Sequence, residues 1–144
     1  MKLHRLALAA ALVATPALAA SPPSVQGDWM TPSGSGKVRI ATCGGGKVCG
    51  TIVWLKNPLD RGTGKAQLDE KNPDPAQRAR PIQGLQILKG FSPGSNGKWG
   101  GGSIYDPQSG KTYDSKLSLN PDGTLKVEGC IAIICQAQTW KPAA

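Results

Sequence analysis

Short runs of alternating apolar and polar residues, each ended by turn-forming residues, constrain the fold of this chain more than any other feature. In residues 37–42, Lys37 and Arg39 alternate with Val38 and Ile40, which is the period-two pattern of a half-buried strand. Further runs of this kind predict strands at 27–30, 48–55, 82–91, 98–105, 111–119, 124–130 and 133–140. The series predicts an all-β protein.

The links between these runs are rich in residues that accept positive φ or pre-set a turn. The clearest are residues 44–47, 95–97, 106–110 and 120–123. Because short links join strands that are neighbours in the sheet, we expect about eight antiparallel strands in meander order. A single small barrel is the preferred arrangement, since it leaves no open sheet edge, and a sandwich is the alternative.

Residues 56–81 interrupt the pattern with a long polar loop rich in Pro, Asp, Arg and Lys. Asp74 is placed to cap a short helical turn that begins at Pro75. A structureless loop of this length in a small domain is unusual and is often functional. If the barrel has an open mouth, this loop is the segment long enough to fold over it.

Two arginines in this loop, Arg78 and Arg80, are candidate ligand-binding residues. Two guanidinium groups bind a carboxylate or phosphate in bidentate fashion, which predicts a ligand with an anionic head and an apolar tail. The alternative is that they pair with nearby Asp69, Glu70 or Asp74 and only order the loop.

The chain begins with the pattern of a secretory signal peptide. Lys2 and Arg5 precede the apolar residues 6–14, and residues 17–19 form a small-x-small cleavage site. The apolar run is far below the roughly 20 residues that cross a bilayer, so we expect no membrane span. The expected organisation is signal peptide 1–19, flexible leader 20–26, barrel domain 27–141 and tail 142–144, with the mature protein periplasmic or secreted.

The four cysteines form two close pairs, which in an exported chain indicates two disulfides. Three pairings are possible. We expect Cys43 with Cys49 and Cys130 with Cys135, because short loops close most easily. The rival interpretation is a four-thiolate zinc site, although structural zinc ligands usually lie two to four residues apart, so no metal is expected.

Composition argues against most familiar catalytic chemistry. The single histidine, His4, lies in the predicted signal peptide, so the mature chain lacks the base of Ser-His-Asp and Cys-His catalysis. No complete catalytic or cofactor motif occurs, and we expect a non-enzymatic protein without a cofactor. Asp74, Asp106 and Asp114 leave a secreted carboxylate-dependent hydrolase as an alternative.

The charge distribution bears on partners. After removal of residues 1–19, 15 basic and nine acidic residues remain, a net charge of +6. The basic residues are spread singly, which is unlike a nucleic-acid-binding stripe, so no nucleic acid is expected. A module that binds anionic polymers of the cell envelope is a further alternative.

Aromatic residues supply the remaining candidate sites. The four tryptophans, at positions 29, 54, 99 and 140, fall on four different predicted strands and either fill the core or line a cavity. Our preferred hypothesis is a binding protein, monomeric or dimeric, whose barrel holds a small hydrophobic or anionic ligand. The candidate ligand-binding residues are Trp54, Arg78, Arg80, Trp99, Tyr105 and Tyr113.

Several fragments follow one another in a fixed order along the predicted barrel. They are Gly27-x-Trp29, Cys43 and Cys49 leading to residues 50–55, residues 72–75 and 80–85, Gly102-x-Ile104-Tyr105-Asp106-Pro107, Gly110-Lys111-x-Tyr113 and Gln138-Thr139-Trp140. Together these fragments resemble domain-of-unknown-function family 2147, a family of exported bacterial proteins. The resemblance implies a lipocalin-like barrel, in which the Gly27-x-Trp29 motif would place a tryptophan at the barrel floor. The family has no established reaction, so the resemblance leaves the function open.

Overall fold

A computed structural model describes residues 11–17 and 24–143. Most of the predicted signal peptide, part of the predicted leader and Ala144 lie outside the described residues. Residues 11–17 are exposed and without regular structure. In the part of the chain that is described, no helix is both long and apolar enough to cross a membrane.

Eight antiparallel strands form a closed barrel, which confirms the predicted fold. Their bounds are β1 Gly27–Met30, β2 Gly36–Thr42, β3 Val48–Leu55, β4 Gln86–Pro93, β5 Lys98–Asp106, β6 Lys111–Leu119, β7 Leu125–Ile131 and β8 Ile134–Pro142. Each strand pairs with the next, and the barrel closes where β1 meets β8 through the pairs Trp29 with Pro142 and Met30 with Lys141. The predicted helical turn is also present, as a 3₁₀ turn at Pro75–Gln77 capped by Asp74.

Strand β4 begins later than the sequence pattern predicts. The apolar residues before it, Ile82 and Leu85, belong to the loop instead of the strand. Ile82 donates its amide to the Gln67 carbonyl, while the Leu85 carbonyl accepts the amide of Ile52. The long connection between β3 and β4 therefore spans residues 56–85.

In a meander barrel, the connections alternate between the two ends. The β1–β2, β3–β4, β5–β6 and β7–β8 connections lie at one end, here called the mouth end. The other end, here called the packed end, carries the remaining hairpins. The start of β1 and the last residue of β8 also lie there. Each end has one disulfide, Cys130–Cys135 at the mouth end and Cys43–Cys49 at the packed end, as predicted.

Large side chains fill the barrel toward the packed end. Leu88, Phe91, Leu125 and Trp140 are at most 2% exposed. Glycine makes room for this packing, because a Cβ added at Gly102 would lie 2.6 Å from the Phe91 ring. The interior is therefore a close-packed core at this level.

The N-terminal edge of the barrel is fixed by Trp29. Its indole Nε1 donates to the Val25 carbonyl at 2.8 Å, and both residues are buried. The last part of the expected flexible leader thus packs against the barrel. Trp29 lies in the core, as the motif resemblance implies.

Candidate functional site

The mouth end opens into a cavity with two adjoining lobes. The first lobe, of about 590 Å³, lies between the inward faces of β5 to β8. The second, of about 530 Å³, extends beneath the β1–β2 and β3–β4 connections. The lobes share Ile104, Asp106 and Gln138, so they form one open depression in the barrel end.

Aliphatic side chains and amides line the first lobe. Its apolar lining includes Ile104, Val127, Ile131 and Ile134. Its polar lining includes Tyr113, Gln136 and Gln138. Gln138 is oriented by Trp140, whose indole Nε1 donates to Gln138 Oε1 at 3.0 Å. That bond leaves the amide nitrogen of Gln138 as a donor for another group.

Charge is scarce in the cavity. Among residues 24–143, Asp106 is the one charged residue that lines either lobe. Its carboxylate already accepts two hydrogen bonds within the β5–β6 turn, from the Gln108 amide at 2.9 Å and the Ser109 hydroxyl at 2.8 Å. The cavity therefore offers an apolar, amide-bearing surface, and no cation among residues 24–143 lines it.

A buried hydrogen-bonded cluster attaches the 56–85 connection to the barrel. Asp69 is fully buried and accepts hydrogen bonds from the Tyr105 hydroxyl at 2.6 Å and from Asn72 Nδ2 at 2.8 Å. Arg80 Nη2 donates to the same carboxylate at 3.1 Å. We call Asp69, Asn72, Arg80 and Tyr105 the latch, because Tyr105 lies on β5 and the other three lie in the connection.

The latch shifts the pKa values of both its acidic groups. Burial alone would raise the pKa of Asp69, but the hydrogen bonds from Tyr105, Asn72 and Arg80 outweigh it and hold that pKa below 3.8. Burial, followed by the hydrogen bond to Asp69, raises the pKa of Tyr105 to about 12. At neutral pH the cluster therefore consists of an ionised carboxylate and a protonated phenol.

The connection is ordered by more than the short helical turn that the sequence predicts. Bridges join Leu59 to Ala66 and Leu68 to Pro81. A second attachment lies at the β5–β6 turn, where a Cβ added at Gly110 would collide with the backbone of Lys71. Two isolated bridges and this close backbone approach therefore order a segment whose composition is typical of a free loop.

Part of the connection does border the cavity. Asn57, Gln67 and Ile82 line the second lobe, and the Gln67 side chain donates to the Asn57 carbonyl. The connection thus forms one wall of the mouth.

The two arginines predicted to bind an anionic ligand contact the connection itself. Arg78 Nε donates to the Asn72 carbonyl at 2.7 Å, and Arg80 binds Asp69 in the latch. Neither is among the residues that line the two lobes. The Arg80–Asp69 pair is one of those named in the alternative interpretation, whereas Arg78 binds a backbone carbonyl instead of a carboxylate. The role of both arginines toward a ligand stays a prediction.

The predicted aromatic site residues occupy different environments. Trp54 is 38% exposed, and the Lys37 ammonium lies 5.1 Å from its ring centroid. Trp99 is partly buried and packs against the core. Tyr113 lines the first lobe, and Tyr105 lines the second lobe as well as binding Asp69. The structure thus brings the two tyrosines to the cavity but not Trp54.

The three candidate catalytic carboxylates are not brought together on one face. Asp74 caps the 3₁₀ turn through the Ala76 amide at 3.0 Å. Asp106 is on the inward side of β5, whereas Asp114 of β6 pairs with Ser103 on the outward side. Two carboxylates on opposite faces of a sheet do not flank one substrate.

Several cavity residues were missed by sequence reasoning, namely Ile104, Gly129, Ile134, Gln136 and Gln138. A signal for part of this set exists in β8, where alternate positions from Ile134 to Trp140 carry two glutamines between apolar residues. Uncharged polar residues on an inward face indicate that water or a ligand reaches that face.

A small eight-stranded antiparallel barrel with an open, mostly apolar cavity at one end defines the lipocalin-like class of barrels. The family model described as an uncharacterized protein conserved in bacteria, DUF2147, matches residues 27–142, and the chain belongs to this family.

A solved structure shares the fold: protein HP1028 from Helicobacter pylori, which is described as belonging to the lipocalin family. It is 22% identical, with a TM-score of 0.72 over 85% of each chain. No curated protein matches the sequence significantly.

Proposed function

We propose that this is a non-enzymatic binding protein that holds a small, uncharged, partly apolar molecule in the mouth-end cavity. The observation that carries the proposal is the cavity lining, in which aliphatic side chains alternate with glutamine amides and a tyrosine hydroxyl. Each lobe has a volume within the range of about 300–1,000 Å³ that is usual for small-molecule sites.

The absence of a lining cation favours a neutral ligand over an anionic one. A carboxylate or phosphate that enters a largely apolar cavity loses its hydration, and this is costly unless a positive group replaces the lost water. Arg78 and Arg80 are bound elsewhere, so an anionic ligand would require them to leave their partners. Amide groups, by contrast, bind neutral hydroxyl, carbonyl or amide groups directly.

Action outside the cytoplasm is part of this proposal. Both disulfides are formed in the structure, and disulfides persist in oxidising compartments. The signal-peptide pattern points the same way. Fractionation of the native host, followed by mass spectrometry of the N-terminus, tests this part; full-length protein retained in the cytoplasm would contradict it.

The cavity is tested by filling it. Gly129 lines the first lobe, and a Cβ there would lie 3.7 Å from both Ile104 and Tyr113, an ordinary contact. A Gly129→Leu variant should therefore fold while its side chain occupies the lobe. The neutral apolar dye Nile red reports binding by its fluorescence.

We expect Gly129→Leu to weaken Nile red binding by at least about tenfold, because the side chain displaces the dye. Thr139→Leu is the matched control. Thr139 is exposed on β8, so this substitution introduces the same leucine side chain outside the cavity. Equal dye binding by both variants and the wild type would contradict the proposed site. Displacement of the dye by palmitate, but not by a neutral long-chain alcohol, would contradict the preference for an uncharged ligand.

A further inference from the structure

The hairpin that joins β7 to β8 ends in an exposed apolar tip. Ile131, Ile133 and Ile134 are 70%, 96% and 72% exposed, and Ala132 between them is also exposed. The tip, residues 131–134, is enclosed by the Cys130–Cys135 disulfide. A soluble protein ordinarily buries such a run or uses it to bind something.

The chain segment that contains the tip carries no charged residue over twelve positions. Residues 129–140 contain no Asp, Glu, Lys or Arg. Beside the tip, Asp114 and Lys116 of β6 line a shallow depression together with Ile133, and their opposite charges offset each other. An uncharged, convex, aliphatic tip is suited to entering the apolar boundary of a lipid bilayer.

The small size and the composition of the tip argue against a protein as its main binding partner. A stable protein interface buries roughly 800 Å² on each partner, which three isoleucines at the end of one hairpin do not provide. Interface centres are also enriched in Trp, Tyr and Arg, whereas the tip contains only Ile and Ala. A bilayer requires no complementary pocket.

Charge at the mouth end complements an anionic bilayer. The 56–85 connection, which lies at the same end as the tip, has six basic and four acidic residues. The barrel as a whole, residues 24–143, has a net charge of +6. Attraction of this kind concentrates a protein near anionic headgroups, after which an apolar tip supplies short-range binding.

We propose that the 131–134 tip inserts into the surface of an anionic phospholipid bilayer and holds the barrel with its mouth toward the lipid. Ile131 and Ile134 belong to the tip and also line the first lobe, so the inserted surface is continuous with the cavity. A partly apolar ligand would then move between bilayer and cavity without crossing water. Docking itself requires no ligand in the barrel.

Co-sedimentation with vesicles of equal parts phosphatidylethanolamine and phosphatidylglycerol tests the proposal. Purified protein is used after its N-terminus has been read by mass spectrometry, because residues 6–14 are themselves apolar. The test variant is Ile133→Asp, and Leu59→Asp is the matched control, since Leu59 is an exposed aliphatic residue in the connection at the same end. Melting temperatures verify that both variants fold.

We expect Ile133→Asp to lower the vesicle partition coefficient by about tenfold or more, because an apolar group is lost and a charge is added at the inserted point. Leu59→Asp makes the same change of charge and should retain most of the binding. Equal loss in both variants would show attraction by net charge alone and would overturn the proposal, as would the absence of wild-type binding.

Light scattering of the protein without vesicles tests whether the tip binds a second copy of the chain instead of a bilayer. A wild-type dimer that becomes monomeric in Ile133→Asp would assign the tip to self-association and overturn the proposal. Nile red binding without vesicles is measured in parallel. A variant that loses vesicle binding but still binds the dye shows a failure of docking alone, whereas a protein that does not bind the dye shows a failure of the proposed ligand-binding function.

Discussion

The packed end and the mouth end of this barrel are built from the same strands but differ in how far side chains fill the interior. Toward the packed end, the large side chains of Phe91, Leu125 and Trp140 are buried in the barrel interior. Toward the mouth end, the corresponding inward positions carry Gly129 and Gln136, and a cavity remains. The size and polarity of inward residues, rather than the strand pattern, decide whether a small barrel is solid or hollow.

The largest expected effect separates these two ends. Phe91→Ala should lower the free energy of unfolding by about 3–5 kcal/mol, because it leaves a void in close-packed surroundings. Ile131→Ala, at the exposed mouth, should change it by less than about 0.5 kcal/mol. Urea unfolding at equilibrium measures both free energies of unfolding. Similar losses of stability in the two variants would contradict the difference in packing between the two ends.

The next effect concerns the latch, which fastens the connection to the mouth. Asp69→Ala should cost about 2–3 kcal/mol, because it leaves the buried Tyr105 hydroxyl without its partner. Amide hydrogen exchange should rise across residues 56–85 and not in the packed end. The neighbouring Glu70 is exposed, so Glu70→Ala serves as the control and should be close to neutral. Unchanged exchange in Asp69→Ala would show that the latch does not hold the connection.

The raised pKa of Tyr105 predicts a loss of stability in alkali. Because the folded pKa is about 12 and the unfolded value is 10.0, the contribution is complete below pH 10 and is lost as the pH rises toward 12. The loss should reach up to about 2 kcal/mol. Unfolding of the wild type and of Tyr105→Phe is compared across this range, and an equally steep decline in the variant would contradict the assignment.

The smallest effect is expected outside the barrel, at Trp54. Its ring contacts the Lys37 ammonium on an exposed surface, so Trp54→Ala should cost about 0.5–1 kcal/mol. Nile red affinity should stay within error of the wild type, because Trp54 lies outside both lobes. A marked loss of dye binding would restore Trp54 to the ligand site.

The sequence was sufficient for the fold because the fold depends on local rules. Period-two alternation and turn chemistry identified the strands, and the 3₁₀ turn at Asp74 followed from a cap and a proline. The start of β4 was placed too early: Ile82 has a strand-like side chain, but its amide binds the loop backbone at Gln67, and Leu85 binds the Ile52 amide of β3 without belonging to β4. Propensity does not report which backbone partner an apolar residue will find.

The latch and the cavity were harder to predict from the sequence, because both depend on contacts between residues far apart along the chain. Asp69 is buried by Tyr105, 36 positions later, and nothing local to Asp69 distinguishes it from a solvated loop carboxylate. The first lobe likewise depends on distant residues, because Gly129 on β7 faces Ile104 on β5. A single sequence contains the inward pattern of each strand but not the space left between strands.

The seam between β1 and β8 has a mechanical consequence. Two residue pairs and a hydrogen bond from the Ala143 amide to the Asp28 carbonyl join the chain there, and the antiparallel meander brings both chain ends of the barrel to the packed end. A force applied to those ends would therefore load the seam one pair at a time, as a zipper is opened, instead of shearing the whole ladder. The barrel would part there first, while its disulfides, which join residues six and five positions apart, would leave the extended chain almost unshortened.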